Sequence, residues 1–162
     1  MGVQPTATIQ ELMLQLIDPS ADAIWDAVGI VVTAEGEEEK RPATEEEWLR
    51  LRGHALRLVE ASKLLSAPGR AVAAPGVRSE NPGIELHPED TQSLIDADPE
   101  AWSAMARALQ HESVKMLQAI DRRDADGLFD NGETLDMACE ACHRRYWYPD
   151  NAASYGKAGQ PP

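Results

Sequence analysis

Four stretches of apolar residues recur at spacings of three and four along this chain, and none alternates with period two. Side chains spaced that way form a stripe along an α-helix, and the stripe must be buried against another element. The pattern predicts an all-α protein without strands. Four helices of this length, joined end to end, read as an antiparallel four-helix bundle. At 162 residues the chain is one domain, long enough to bury a substantial core.

The first seam is Ile9, Leu12, Met13, Leu16 and Ile17, opened by Thr8 and Glu11 as a capping box. Pro19 predicts a kink or a restart with Asp18 as the new N-cap, and the seam resumes through Ala23, Ile24, Ala27 and Val28 until Gly29. The second helix opens on Thr44 with Glu47, carries Trp48, Leu51, Ala55, Leu58 and Ser62, and stops at Pro68-Gly69. Residues 70–97 are rich in Pro, Gly and charge, with one short helical turn expected around Thr91 to Ile95. A connection of that length is expected to lie against the body or line a site. Asp98-Pro99 opens the third helix, with Trp102, Met105, Leu109, Met116, Leu117 and Ile120 on its apolar face. The fourth starts between Asp124 and Asp130, where Asp130 and Glu133 make another box, and runs through Leu135, Cys139 and Tyr146 to Pro149. The expected domain layout is a flexible N-terminus over 1–8, the helical domain over 9–150 and a disordered tail over 151–162.

Both cysteines of the chain sit in Cys139-Glu140-Ala141-Cys142-His143, the C-x-x-C-H signature of covalent haem attachment. Two thiols three positions apart can each form a thioether with one vinyl group of a single porphyrin. The adjacent imidazole then binds the iron from one face. On a helix the three side chains fall within roughly 100° of arc. A thioredoxin-like dithiol would need a βαβ setting that this chain lacks. A structural zinc site wants about four ligands, and only His54, His87 and His111 remain, scattered singly. A disulfide across two intervening residues would contribute little loop-closure entropy.

Fifteen basic against 28 acidic side chains leave a net charge of −13. Phosphate backbones and anionic membranes should repel such a surface, which argues against nucleic acid as a partner. The charged run Glu35 to Arg41 reads as a solvated loop. No stretch approaches the roughly 18 apolar residues needed to cross a bilayer, and Met1-Gly2-Val3-Gln4-Pro5 lacks the features of a secretory signal. Bacterial c-type haem is attached outside the cytoplasm. The expected location is therefore the periplasm, with an export signal or lipid anchor missing and Met1-Gly2 left by cloning.

A C-x-x-C-H motif at the end of the last of four helices resembles the class II c-type cytochromes, cytochrome c-prime and its low-spin relatives. Leu12-Met13 occupies the place of that family's haem-facing Leu-Met pair, Gly29 closes the first helix at a similar distance, and Trp102 matches a tryptophan bordering the haem pocket. The fifteen residues from Asp124 to Cys139 match the family's final-helix spacing. The resemblance covers roughly residues 9–148. It implies one haem c inside the bundle, covalent through Cys139 and Cys142, with His143 as the proximal iron ligand. Two departures stand out: Ile9 occupies a position where the family often has a propionate-binding arginine, so Gln10 or an arginine from elsewhere must serve, and the connection before the third helix is longer than usual.

The sixth coordination position sets the function. Methionine sulfur from Met13 would give a six-coordinate, low-spin haem with a raised potential, suited to carrying single electrons. A Met13 that only packs above the ring would leave iron open to small gases such as NO or CO. Met105, Met116 and Met137 read as core gap-fillers, Trp25 and Trp48 as helix contacts, and His54 as a surface residue rather than a ligand. Arg144 and Arg145 are read either as solvated cations near a helix end or as neighbours of a propionate, and Tyr146 and Trp147 as a cover for the proximal edge. No nucleophile–base pair, phosphate loop or cluster of catalytic carboxylates is evident, so the expectation is an electron carrier, not an enzyme. Its expected partners are redox proteins, favoured when basic, with a homodimer left open by the exposed faces.

Overall fold

The computed structural model describes residues 4–155, so the expectations for Met1-Gly2 and for residues 156–162 lie outside the described residues. The described chain is mostly helical: α1 (Ile9–Leu12), a π-helical turn (Met13–Ile17), α2 (Asp18–Trp25), α3 (Glu45–Leu65), α4 (Pro88–Ala97), α5 (Pro99–Asp121) and α6 (Ala125–Tyr146). One small antiparallel sheet, β1 (Gly29–Thr33) and β2 (Gly36–Lys40), stands between α2 and α3.

Helix starts follow the capping chemistry of the sequence. The Thr8–Glu11 and Thr44–Glu47 boxes both form, side chain to backbone in each direction. The Asp98 carboxylate accepts the Ala101 N–H at 3.0 Å, ahead of Pro99 at the first position of α5. For α6 the cap is Asp124, which accepts from the Gly127 N–H at 2.9 Å, so Asp130 and Glu133 lie inside the helix and form no box. The turn expected around Thr91 is a ten-residue helix, α4.

The helix restarts as α2 at Asp18 with Pro19 in its first turn, but Asp18 is not the cap, since the residue before α2 is Ile17, which makes no side-chain cap. The Asp18 N–H instead bonds the Met13 carbonyl five residues back. A widened turn relieves the clash between a proline ring and the carbonyl four residues earlier. It also corrects a phase error. Ile9 and Leu12 are buried before the π-turn, and Ile17, Ser20, Ala21 and Ile24 at its end and after it. On a continuous α-helix the two sets would face about 100° apart; one extra residue brings both onto the core.

The expectation of no strands is corrected by the hairpin. Ile30 to Thr33 is a run of β-branched residues, which favour extended backbone, and it pairs with Glu39 to Gly36 across a two-residue turn. The charged run is solvated as expected, but as a strand: every residue of β2 is exposed. Period two is missing because both faces of the ribbon are largely wet.

α2 lies against α3, α3 against α5 and α5 against α6. The core between them includes Leu58, Met116, Ile120, Leu128 and Leu135, with Trp48 at its edge under the Arg123 guanidinium, 5.8 Å from the ring centroid. α2 and α6 are joined where the Trp25 indole N–H donates to the Gly132 carbonyl at 3.2 Å. Gly132 matters there, since a Cβ would sit 3.3 Å from the indole. Further along, the two helices leave a cleft.

Residues 66–87 wrap back over this end of the molecule. The Ala71 and Val72 carbonyls accept the Ile9 and Gln10 N–H groups at 2.9 Å, supplying two of the partners that the start of α1 lacks. Arg70 ties the carbonyls of Leu64 and Ala7 together. At the end of α6, the Leu86 N–H donates to the Trp147 carbonyl at 2.7 Å and the Thr91 hydroxyl to the Tyr146 carbonyl at 2.6 Å. Ala152–Ser154 forms a 3-10 turn that buries Ala152.

Candidate functional site

The residues singled out for a haem come from three elements that the fold brings to one place. Met13 opens the π-turn, Trp102 is on α5, and Cys139, Cys142 and His143 are on the last two turns of α6. Two adjoining cavities separate these elements. One, of about 190 Å³, lies between α2, α5 and α6 and is lined by Trp25, Met105, Asp136 and Cys139 among others. The other, of about 200 Å³, is closed by the 66–87 connection and α4. Met13, Asp18, Trp102, Cys142 and His143 line both. Of the Leu12-Met13 pair, only Met13 reaches the cavities; Leu12 is buried in the core.

Trp102 is held rigidly. Its indole N–H donates to the Leu65 carbonyl at 3.0 Å, and its ring meets Tyr146 edge-on, with centroids 5.0 Å apart. His143 packs with Trp147 and Tyr148 in a three-ring cluster, with centroids 5.1 and 5.8 Å from its own and 5.2 Å from each other. Its carbonyl accepts the N–H groups of both at 2.8 and 2.9 Å, which ends the helix there. The Tyr148 hydroxyl donates to Glu140 at 2.6 Å.

The electrostatics favour neutral donors. Burial pushes the Cys139 thiol up to about 12, with Asp136 and Asp18 adding to the shift. Burial, and then the neighbouring sulfur of Cys139, pushes Cys142 to about 12. His143 is pushed below its ordinary value by burial, against the pull of Asp18, Glu140 and Asp136. A neutral imidazole is the form that binds iron. Asp18 is raised by burial, a shift that His143 opposes.

These residues fit a thioether-bound haem. Both cysteines are free of disulfide, they lie one turn apart on α6, and the next imidazole shares their cavities. Tyr146 lines the second cavity, and its buried hydroxyl has no hydrogen-bond partner among the described residues, a group that a polar ligand would satisfy. Among the described residues no cluster of three or more His, Cys, Asp or Glu is arranged to hold a bare metal ion. Haem iron needs no such cluster, because the porphyrin supplies four of its ligands.

The other expectations sort as follows. His54 is on α3, its Nδ1 3.0 Å from the Arg57 guanidinium, and lines neither cavity. Met116 is core, Met105 lines a cavity, and Met137 is 62% exposed and fills no gap. Arg144 pairs with Glu140 at 3.0 Å and Arg145 with Asp98 at 3.4 Å, both partly exposed. Trp25 serves as the expected helix contact and also lines a cavity. No helix of the described residues is long and apolar enough to cross a membrane. No family model, curated protein or solved structure matches this chain.

Proposed function

We propose that this chain is a periplasmic c-type cytochrome carrying single electrons on one haem held within an antiparallel four-helix bundle. In this reading α1, the π-turn and α2 form the first helix of the bundle, and α3, α5 and α6 the others. One observation carries the proposal: Met13, from a distant part of the chain, lines the same two cavities as Cys142 and His143 of the attachment motif. Cys139 and Cys142 would hold the haem, His143 would bind iron on one face and Met13 on the other.

When bound, the haem supplies a reversible one-electron ferric–ferrous couple. The chain's own residues do the rest. Burial favours the neutral form of His143, and its imidazole packs edge-on against Trp147 and tilted against Tyr148. The π-turn sets the direction of Met13, and π-turns of this kind recur at functional sites. Trp102, locked through Leu65, walls the pocket, with Ile17, Leu65 and Leu109 as apolar lining beside the carboxylates of Asp18, Asp22, Asp136 and Glu140. Methionine as a ligand would raise the haem's potential. With Met13 and His143 both holding it, the group would offer no place for a substrate, so we read the protein as a carrier with a redox partner protein.

The test is to express the chain with a haem-attachment system and record its spectrum. Low-spin bands that turn high-spin in Met13→Ala support the assignment. A spectrum that is high-spin from the start and shifts with CO would replace it with a five-coordinate, gas-binding protein. An unpigmented chain would remove the haem.

A further inference from the structure

Resting on the haem reading, we infer that the haem propionates lie in the cavity closed by residues 66–87, with Arg78 as their counter-cation and the Tyr146 hydroxyl as a donor. A protoporphyrin carries its two vinyl groups toward one edge and its two propionates on the opposite edge. Thioethers to Cys139 and Cys142 fix the vinyl edge. Cys139 lines only the cavity between α2, α5 and α6, whereas Cys142 lines both. The two cysteines lie along that edge, so they place it and leave the opposite edge two senses, toward the first cavity or toward the second.

The charges of the two cavities decide between these senses. The first is walled by Asp18, Asp22, Asp136 and Glu140, and no Lys or Arg lines it. Two further carboxylates placed there would face like charge in a partly dry space. Only Asp18 of those four lines the second cavity, together with Arg78 as its one Lys or Arg and with the neutral Gln10 and Ser79.

Arg78 is free to turn. Its guanidinium lies 3.7 Å from Glu89 and 3.5 Å from His87 Nε2, both long contacts, and its side chain is 62% exposed. A planar guanidinium meets a carboxylate through two parallel N–H bonds. Arg145, the other arginine nearby, is taken by Asp98 and lies over the Tyr146 ring, 5.3 Å from its centroid. Tyr146 is 3% exposed, and by hydrogen-bond geometry its hydroxyl has no partner among the described residues. An arriving carboxylate completes it.

The experiment uses the haem-loaded protein with Arg78→Gln, Arg78→Lys, Tyr146→Phe and, as a remote loss of the same charge, Arg122→Gln. Reduction potential and the propionate bending band in resonance Raman are the readouts. Arg78→Gln should lower the potential and shift the band, Arg78→Lys should restore the potential in part, and Tyr146→Phe should shift the band alone. Arg122→Gln should move neither. If Arg78→Gln matches Arg122→Gln in both readouts while haem is attached, the inference fails and the cytochrome reading stands. An unshifted band in Tyr146→Phe removes the tyrosine donor. A wild-type chain that takes up no haem overturns both readings.

Discussion

Iodoacetamide should find the two thiols of the haem-free, folded chain nearly inert. Each is held at about 12 chiefly by burial. At about pH 8 such a thiol is roughly 10⁻⁴ thiolate, against about a tenth for one at the ordinary value of 9.0, a ratio of about 900. Part of that factor is recovered because a more basic thiolate attacks faster. With a Brønsted slope of about 0.4–0.5, three units return roughly 20-fold. The net expectation is alkylation roughly 40-fold slower in the folded chain than in the unfolded one. Mass spectrometry of time points taken with and without urea at the same pH gives both rates. A native rate equal to the rate in urea would refute the burial, and with it the description of the cleft. If the retardation is seen, the thioether bonds must form before the chain closes, since addition of a thiol across a vinyl group uses the same nucleophile.

Two further outcomes test the frame around the cleft. Trp102→Phe removes the indole donor and leaves the Leu65 carbonyl buried without its 3.0 Å partner, which should destabilise the protein by about 1–3 kcal/mol in urea unfolding; an unchanged midpoint would show that the carbonyl finds water. Deleting Gln15 should convert the π-turn to α-helix and force Pro19 into a regular helix interior, costing about 3 kcal/mol. Adding Pro19→Ala to that deletion should restore most of the loss, because the seams on either side are then in phase. If the double change is no more stable than the deletion alone, the phase argument is wrong.

The helix positions were legible because capping chemistry is local, and the C-x-x-C-H spacing is local in the same way. Thr8 with Glu11, Thr44 with Glu47, and Asp98 with Pro99 each act within four residues. The π-turn left a signal that spacing by threes and fours conceals: taking Leu16 as part of one continuous seam hid the jump in phase between Leu12 and Ile17. The hairpin was hidden for a different reason. Ile30, Val31 and Val32 are all substantially exposed, so burial imposed no alternation, and only their β-branching pointed to a strand. Met137 looked like a gap-filler by composition, yet its position on α6 turns it outward. Arg78 and Tyr146 could not have been placed from spacing. That both line one cavity depends on the 66–87 connection returning across α1 and the end of α6, a long-range event fixed by backbone bonds such as Ile9 to Ala71.

The β1–β2 ribbon has an open edge on each side, and unpaired strand edges invite pairing with another chain. Ile30, Val31 and Val32 stand opposite Glu39, Glu38 and Glu37. The three carboxylates form a fence: a second copy docking edge to edge would bring its own acidic row against this one. Exchanging those carboxylates for neutral side chains would take down the fence and leave the β-branched row intact, and that is the change by which this otherwise helical molecule would most readily grow sheet.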